Sequence, residues 1–103
     1  MKFRFEIPVL IDGGDAECDY YYLERDSFEF VPLVGMTLQL SGMDEEHDVI
    51  AVRFYEADEE QFRKHSCVEV NLAHPLGHEE VWRPTSAQRR MMEVAGWKLE
   101  KLT

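Results

Sequence analysis

Cysteine is scarce in this 103-residue chain: there are two, Cys18 and Cys67, far apart in sequence. Neither has a neighbour at the spacing of a structural zinc site, so both read as free thiols of a reducing compartment rather than a disulfide. Long apolar runs are missing as well. No stretch approaches the roughly 20 residues a membrane-spanning helix needs. The opening segment MKFRFEIPVLI alternates apolar with polar residues, unlike the continuous core of a signal peptide. The expectation is a soluble, cytoplasmic protein without a membrane partner.

Basic residues are few where acidic ones are dense. Residues 1–60 hold sixteen Asp and Glu against four basic residues, Lys2, Arg4, Arg25 and Arg53, a balance of −12. Residues 61–103 hold five acidic against seven basic, a balance of +2, which brings the chain to its net −10. Such a field repels polyanions and attracts cationic partners, but it speaks to association rather than to fold. Phosphate contacts supply most nucleic-acid affinity, so this charge argues against direct nucleic-acid binding. It does so although Tyr20, Tyr21 and Tyr22 could stack on bases.

What the chain does have is 45 % hydrophobic and 12 % aromatic residues, enough to build one modest core in a single domain. Period-two alternation dominates. Phe3, Phe5, Ile7 and Val9 share one strand face; Asp12–Asp15 around Gly13-Gly14 form a turn; and Asp19–Leu23 read as a second strand. Phe28–Val31 form a short strand ending at Pro32. Met36, Leu38 and Leu40 alternate next, then Ile50, Val52 and Phe54, then Val68, Val70 and Leu72, as an antiparallel meander.

One helix is expected near the end. Thr85 and Gln88 have capping-box spacing, Ala87, Met91 and Val94 form an apolar stripe, and Gly96 is placed to end the helix. Trp97 then falls where it can pack on Met92. The expected core is Phe3, Phe5, Ile7, Met36, Leu38, Leu40, Ile50, Val52, Phe54, Val68, Val70, Leu72, Met91, Val94 and Trp97. The predicted class is α+β, mainly antiparallel β. Five to seven short strands form a small barrel or bent sheet, with one C-terminal helix at about 86–95. Residues 30–40, 49–54 and 68–72 together resemble the core of SH3-like barrels. The likeness lies in pattern alone, so it implies a fold and no function.

Four candidate chemistries follow from residue type. Cys67, His74 and His78 offer soft and imidazole ligands suited to zinc or nickel, although Pro75 and Gly77 favour a loop and no His-Glu-x-x-His motif occurs. Asp12, Asp15, Glu17 and Asp19 are oxygen donors around a turn but do not meet the EF-hand pattern. Nucleophilic catalysis lacks a Gly-x-Ser-x-Gly elbow, and a pairing of Cys67 with His65 or His74 has only residue type in its favour. The remaining feature is three carboxylate clusters in expected turns: Asp12 to Asp19; Asp44, Glu45, Glu46 and Asp48; and Glu56, Asp58, Glu59 and Glu60. Gathered at one end of a small barrel, they would form a negative patch for a basic protein partner. The functional expectation is a non-enzymatic, cofactor-free module of this kind, of the inhibitor or nucleic-acid-mimic type. The alternative is a metal- or ligand-binding domain built on Cys67, His74 and His78.

Overall fold

Alternation at the N-terminus gives strand β1, Lys2–Pro8, whose Phe3, Phe5 and Ile7 are buried while Lys2, Arg4 and Glu6 lie on the other face. The computed structural model describes residues 1–11, 19–58, 60, 65–75 and 82–101. Within them the chain forms β2 (Tyr20–Arg25), β3 (Thr37–Leu38), β4 (His47–Tyr55), β5 (Cys67–Pro75), helix α1 (Ser86–Val94) and β6 (Lys98–Glu100). The result is a mixed α+β domain: one sheet of six strands in the order β3-β4-β5-β1-β2-β6, with one helix.

Consecutive strands β3, β4 and β5 pair antiparallel, as the meander requires. The N-terminal strand then inserts beside β5 in parallel, Phe3 opposite Val68 and Phe5 opposite Val70, and carries β2 and β6 beyond it. The sheet is open, with β3 and β6 at its edges, rather than closed into a barrel. Phe28–Val31 is not a strand: it belongs to the long connection from β2 to β3, which folds over the sheet. There Phe28 packs its ring 5.0 Å from Phe5 and 5.8 Å from Phe3, with Phe30 stacked 5.2 Å behind.

The core comprises Phe3, Phe5, Ile7, Val9, Tyr21, Leu23, Leu38, Leu40, Met43, Val49, Val68, Val70, Leu72, Trp82, Met92 and Trp97, with Met36 and Val52 partly buried against it. Four expected members lie outside it. Ile50 is 55 % exposed because β4 is irregular: Val49 faces Leu72 and Ala51 faces Asn71, leaving Ile50 as the extra residue of a bulge. Val49 therefore takes the buried place. Val52 and Phe54 keep the register, opposite Val70 and Val68, and Val52 is partly buried against the core whereas Phe54 is 61 % exposed.

Met91 and Val94 are exposed for a different reason, the rotation of α1. The helix turns inward the face bearing Gln88, Arg89, Met92 and Ala95, and Met92 is buried within it. Its polar members have partners. Arg89 Nε donates to Tyr21 Oη at 2.9 Å, and Tyr21 Oη donates to Glu93 Oε1 at 2.9 Å. Both ends of the helix are fixed by local chemistry. Thr85 Oγ1 accepts from Gln88 N at 3.1 Å while Gln88 Oε1 accepts from Thr85 N at 2.8 Å, a reciprocal capping box. At the other end Trp97 N donates to Met92 O and Gly96 N to Glu93 O, with Gly96 at φ 107°: the Schellman pattern.

The helix rests on the turn Leu40–Met43. Trp97 Nε1 donates to Ser41 O at 2.8 Å, and Gly42 lies directly under the last helical turn. A Cβ on Gly42 would sit 2.7 Å from Ala95 Cβ and 2.9 Å from Met91 O.

Candidate partner-binding surface

The acidic residues fall at the two ends of β4. Asp44, Glu45 and Glu46 lead into the strand, with Asp48 its second residue, whereas Glu56, Asp58 and Glu60 leave it; Glu59 lies outside the described residues. Nine extended residues span about 26 Å, so these groups do not share one pole. The expectation of a single negative patch is corrected accordingly, because the connections that carry the carboxylates alternate ends along a meander. The third cluster is also altered: Asp12, Asp15 and Glu17 lie outside the described residues, and Asp19 is buried rather than exposed.

Within the first cluster the carboxylates differ in what they touch. Gln88 Nε2 donates to both Asp44 oxygens at 3.1 and 3.2 Å and reaches Glu45 Oε2 at 3.5 Å. Asp44 and Glu45 thus sit beside the first turn of α1, where the helix dipole favours negative charge. Glu46 is exposed and Asp48 half-buried. In the second cluster Asp58 Oδ1 accepts from Glu60 N at 3.0 Å, a local turn, and Glu56 and Glu60 are exposed.

Sequence reasoning missed a polar network on the sheet face turned away from the core. Arg4 is central to it. Its guanidinium carbon lies 4.0 Å from the Tyr22 ring centroid and 5.9 Å from that of Tyr20. Its nitrogens donate to Glu6 Oε1 at 3.3 Å, Glu24 Oε1 at 2.9 Å and Tyr20 Oη at 3.2 Å. Across β5 and β4, Arg53 pairs with Glu69 at 3.6 Å. Asn71, its amide set to suit its neighbours, donates to Glu6 Oε2 at 3.2 Å and accepts from Arg53. Burial raises the Glu6 carboxyl above the usual glutamate range, helped by its hydrogen bond with Glu69 and that residue's charge; Arg4 opposes the shift. The signal available beforehand was alternation itself, since the residues between the core positions of β1 and β5 are charged.

The tyrosines divide as alternation requires. Tyr21 is buried, its hydroxyl raised by burial, while Tyr20 and Tyr22 flank Arg4 on the opposite face. His47, which no motif singled out, is buried with Nδ1 2.6 Å from Ala73 O and its ring edge-on to Trp82 at 5.1 Å.

The proposed metal ligands do not come together. Cys67 opens β5 and His74 lies seven residues along it, about 23 Å away in an extended strand, far beyond the reach of one ion. His78 lies outside the described residues. Among the described residues no group of three or more His, Cys, Asp or Glu side chains could hold a metal. The half-buried Cys67 thiol is raised by burial and then by Glu69, the reverse of what a nucleophilic thiolate needs. Among the described residues, no helix is long and apolar enough to cross a membrane. No family model, no curated protein and no solved structure matches this chain.

Proposed function

We propose that the chain is a non-enzymatic, cytoplasmic interaction module that binds a basic protein partner through the carboxylates flanking β4, in the manner of an inhibitor or nucleic-acid mimic. One observation carries this reading: the −12 imbalance of residues 1–60 includes exposed carboxylates at both ends of a single strand, Glu46 before it and Glu56 and Glu60 after it. Complementary potentials of this kind raise association rates and select against anionic competitors. Asp44 and Glu45 contribute field while also holding Gln88, so they are poor positions for a clean test.

The experiment reverses the exposed groups alone. The triple variant Glu46→Lys, Glu56→Lys, Glu60→Lys is expected to lose at least tenfold in capture of basic proteins from lysate. Its thermal midpoint should stay within about 2 °C, as for surface substitutions. Undiminished capture by a folded triple variant sinks the reading.

A further inference from the structure

One flank of α1 carries an open cavity of about 220 Å³ lined by Ser86, Arg89, Arg90 and Glu93. These residues lie three and four positions apart, which puts them side by side on a helix. None of the carboxylates at the ends of β4 lines the cavity. Part of it is fixed from the core. The hydroxyl of buried Tyr21 accepts from Arg89 Nε at 2.9 Å and donates to Glu93 Oε1 at 2.9 Å. Arg89 and Glu93 are thereby held in one arrangement, so less side-chain freedom remains to be lost when a ligand enters. The rest of the lining is unengaged. Among the described residues, the side chains of Ser86 and Arg90 make no hydrogen bond or ion pair, and Glu93 uses only one carboxylate oxygen. Arg90 and Glu93 are opposite charges three residues apart, where a helix lets such groups meet, yet they do not close on each other.

The chemistry of the lining selects the ligand. Arg90 and Ser86 supply guanidinium and hydroxyl donors, and Glu93, nearly one turn further along, supplies a carboxylate oxygen that only accepts. A simple anion would meet Arg90 and Ser86 but would also face Glu93 and the field of a chain of net charge −10. A simple cation would satisfy Glu93 and be repelled by Arg90. A zwitterion answers both ends and carries no net charge for that field to repel. Size narrows the class further: pockets for drug-sized ligands run to about 300–1,000 Å³, so this smaller space suits a compound of few heavy atoms. We propose that the cavity on α1 binds a small zwitterion of the α-amino acid class. Its carboxylate accepts from Arg90 and Ser86, and its ammonium donates to the second oxygen of Glu93. The site is separate from the acidic interface and does not depend on it.

The test titrates the whole chain, at constant ionic strength and neutral pH, with L-alanine and with its two half-molecules. Propionate lacks the ammonium and ethylamine lacks the carboxylate. Alanine should move the amide resonances of residues 86–93 saturably and bind at least fivefold tighter than either half. Arg90→Gln and Glu93→Gln should each weaken alanine binding at least fivefold. Both positions are exposed, and the amide oxygen introduced by Glu93→Gln still accepts from Tyr21, so the surrounding structure is retained. Should either variant fail to fold, the comparison of alanine with its halves still decides on the unaltered chain. Propionate binding as tightly as alanine makes the cavity an anion site and overturns the proposal, and ethylamine doing so makes it a cation site with the same result. Alanine affinity unchanged in both folded variants, or no saturable shift within residues 86–93, removes the site altogether.

Discussion

Replacing Gly42 by alanine tests how the helix is seated. The residue has φ 86°, and its missing Cβ would lie 2.7 Å from Ala95 Cβ, 2.9 Å from Met91 O and 3.0 Å from Met92 Cα. The left-handed conformation alone costs an alanine about 1–2 kcal/mol. Two of the three obstructing atoms are helix backbone, which cannot swing aside, and forcing a methyl into such a space adds about 1–3 kcal/mol. The sum is about 3 kcal/mol, or roughly 12–24 °C in the midpoint of a domain this size. Gly35 supplies the control, with φ 95° and nothing within 4 Å of the position its Cβ would take. Gly35→Ala therefore carries only the conformational cost. Urea unfolding followed by far-UV circular dichroism should place Gly42→Ala about 2 kcal/mol below Gly35→Ala with m unchanged. Equal midpoints for the two variants would refute the close approach of the Leu40–Met43 turn to α1.

Three further outcomes follow from the same packing. Met92→Ala should cost about 2–5 kcal/mol, whereas Val94→Lys, at a position 84 % exposed, should stay within about 0.5 kcal/mol; chemical denaturation of both separates the observed helix face from the apolar stripe. Thr85→Ala removes the cap acceptor for Gln88 N and should cost about 1 kcal/mol, with no change in the titration of the open sheet face. For Glu6, whose folded carboxyl is raised above 4.5, the folded chain holds a proton that the unfolded chain releases. Stability is therefore lost as pH rises from the ordinary glutamate value through the folded one. Glu6→Gln should gain on the parent across that window and keep the gain at neutral pH. A gain that is the same at pH 4 and pH 7 would contradict the shared Glu6–Glu69 site.

Several elements were legible in the sequence because local chemistry alone determines them. The capping box at Thr85 and Gln88 and the helix end at Gly96 depend on residues a few positions apart, and both are present, with Trp97 and Met92 both buried in the core. Alternation likewise located the buried faces of β1 and β5. What could not be read was long-range. The parallel insertion of β1 beside β5 leaves no trace in either segment, since both faces of such a strand are specified by neighbours far away in sequence. The bulge at Ile50 shifts one residue and so moves Ile50 out and Val49 in, an effect that strict alternation cannot represent.

The helix face failed for a related reason. Gln88 and Arg89 look solvent-directed until Asp44 and Tyr21 are brought to them by the fold. The acidic clusters are plain in the sequence, but the end of the sheet that each occupies is not. Their separation by the length of β4 is a property of the topology, and it turns one expected patch into two groups at opposite ends of one strand.

The most direct measurement is the salt dependence of binding of a fluorescein-labelled lysine-rich peptide by the parent chain and by the Glu46→Lys, Glu56→Lys, Glu60→Lys variant, followed by fluorescence anisotropy. For the parent, affinity should fall at least fivefold between 0.05 and 0.3 M salt, because the screening length for exposed charges shortens from about 14 Å to about 6 Å over that range. The variant should bind at least tenfold more weakly at low salt and show a nearly flat dependence. Equal affinities for the two proteins, or a parent affinity indifferent to salt, would contradict recognition through the carboxylates that flank β4.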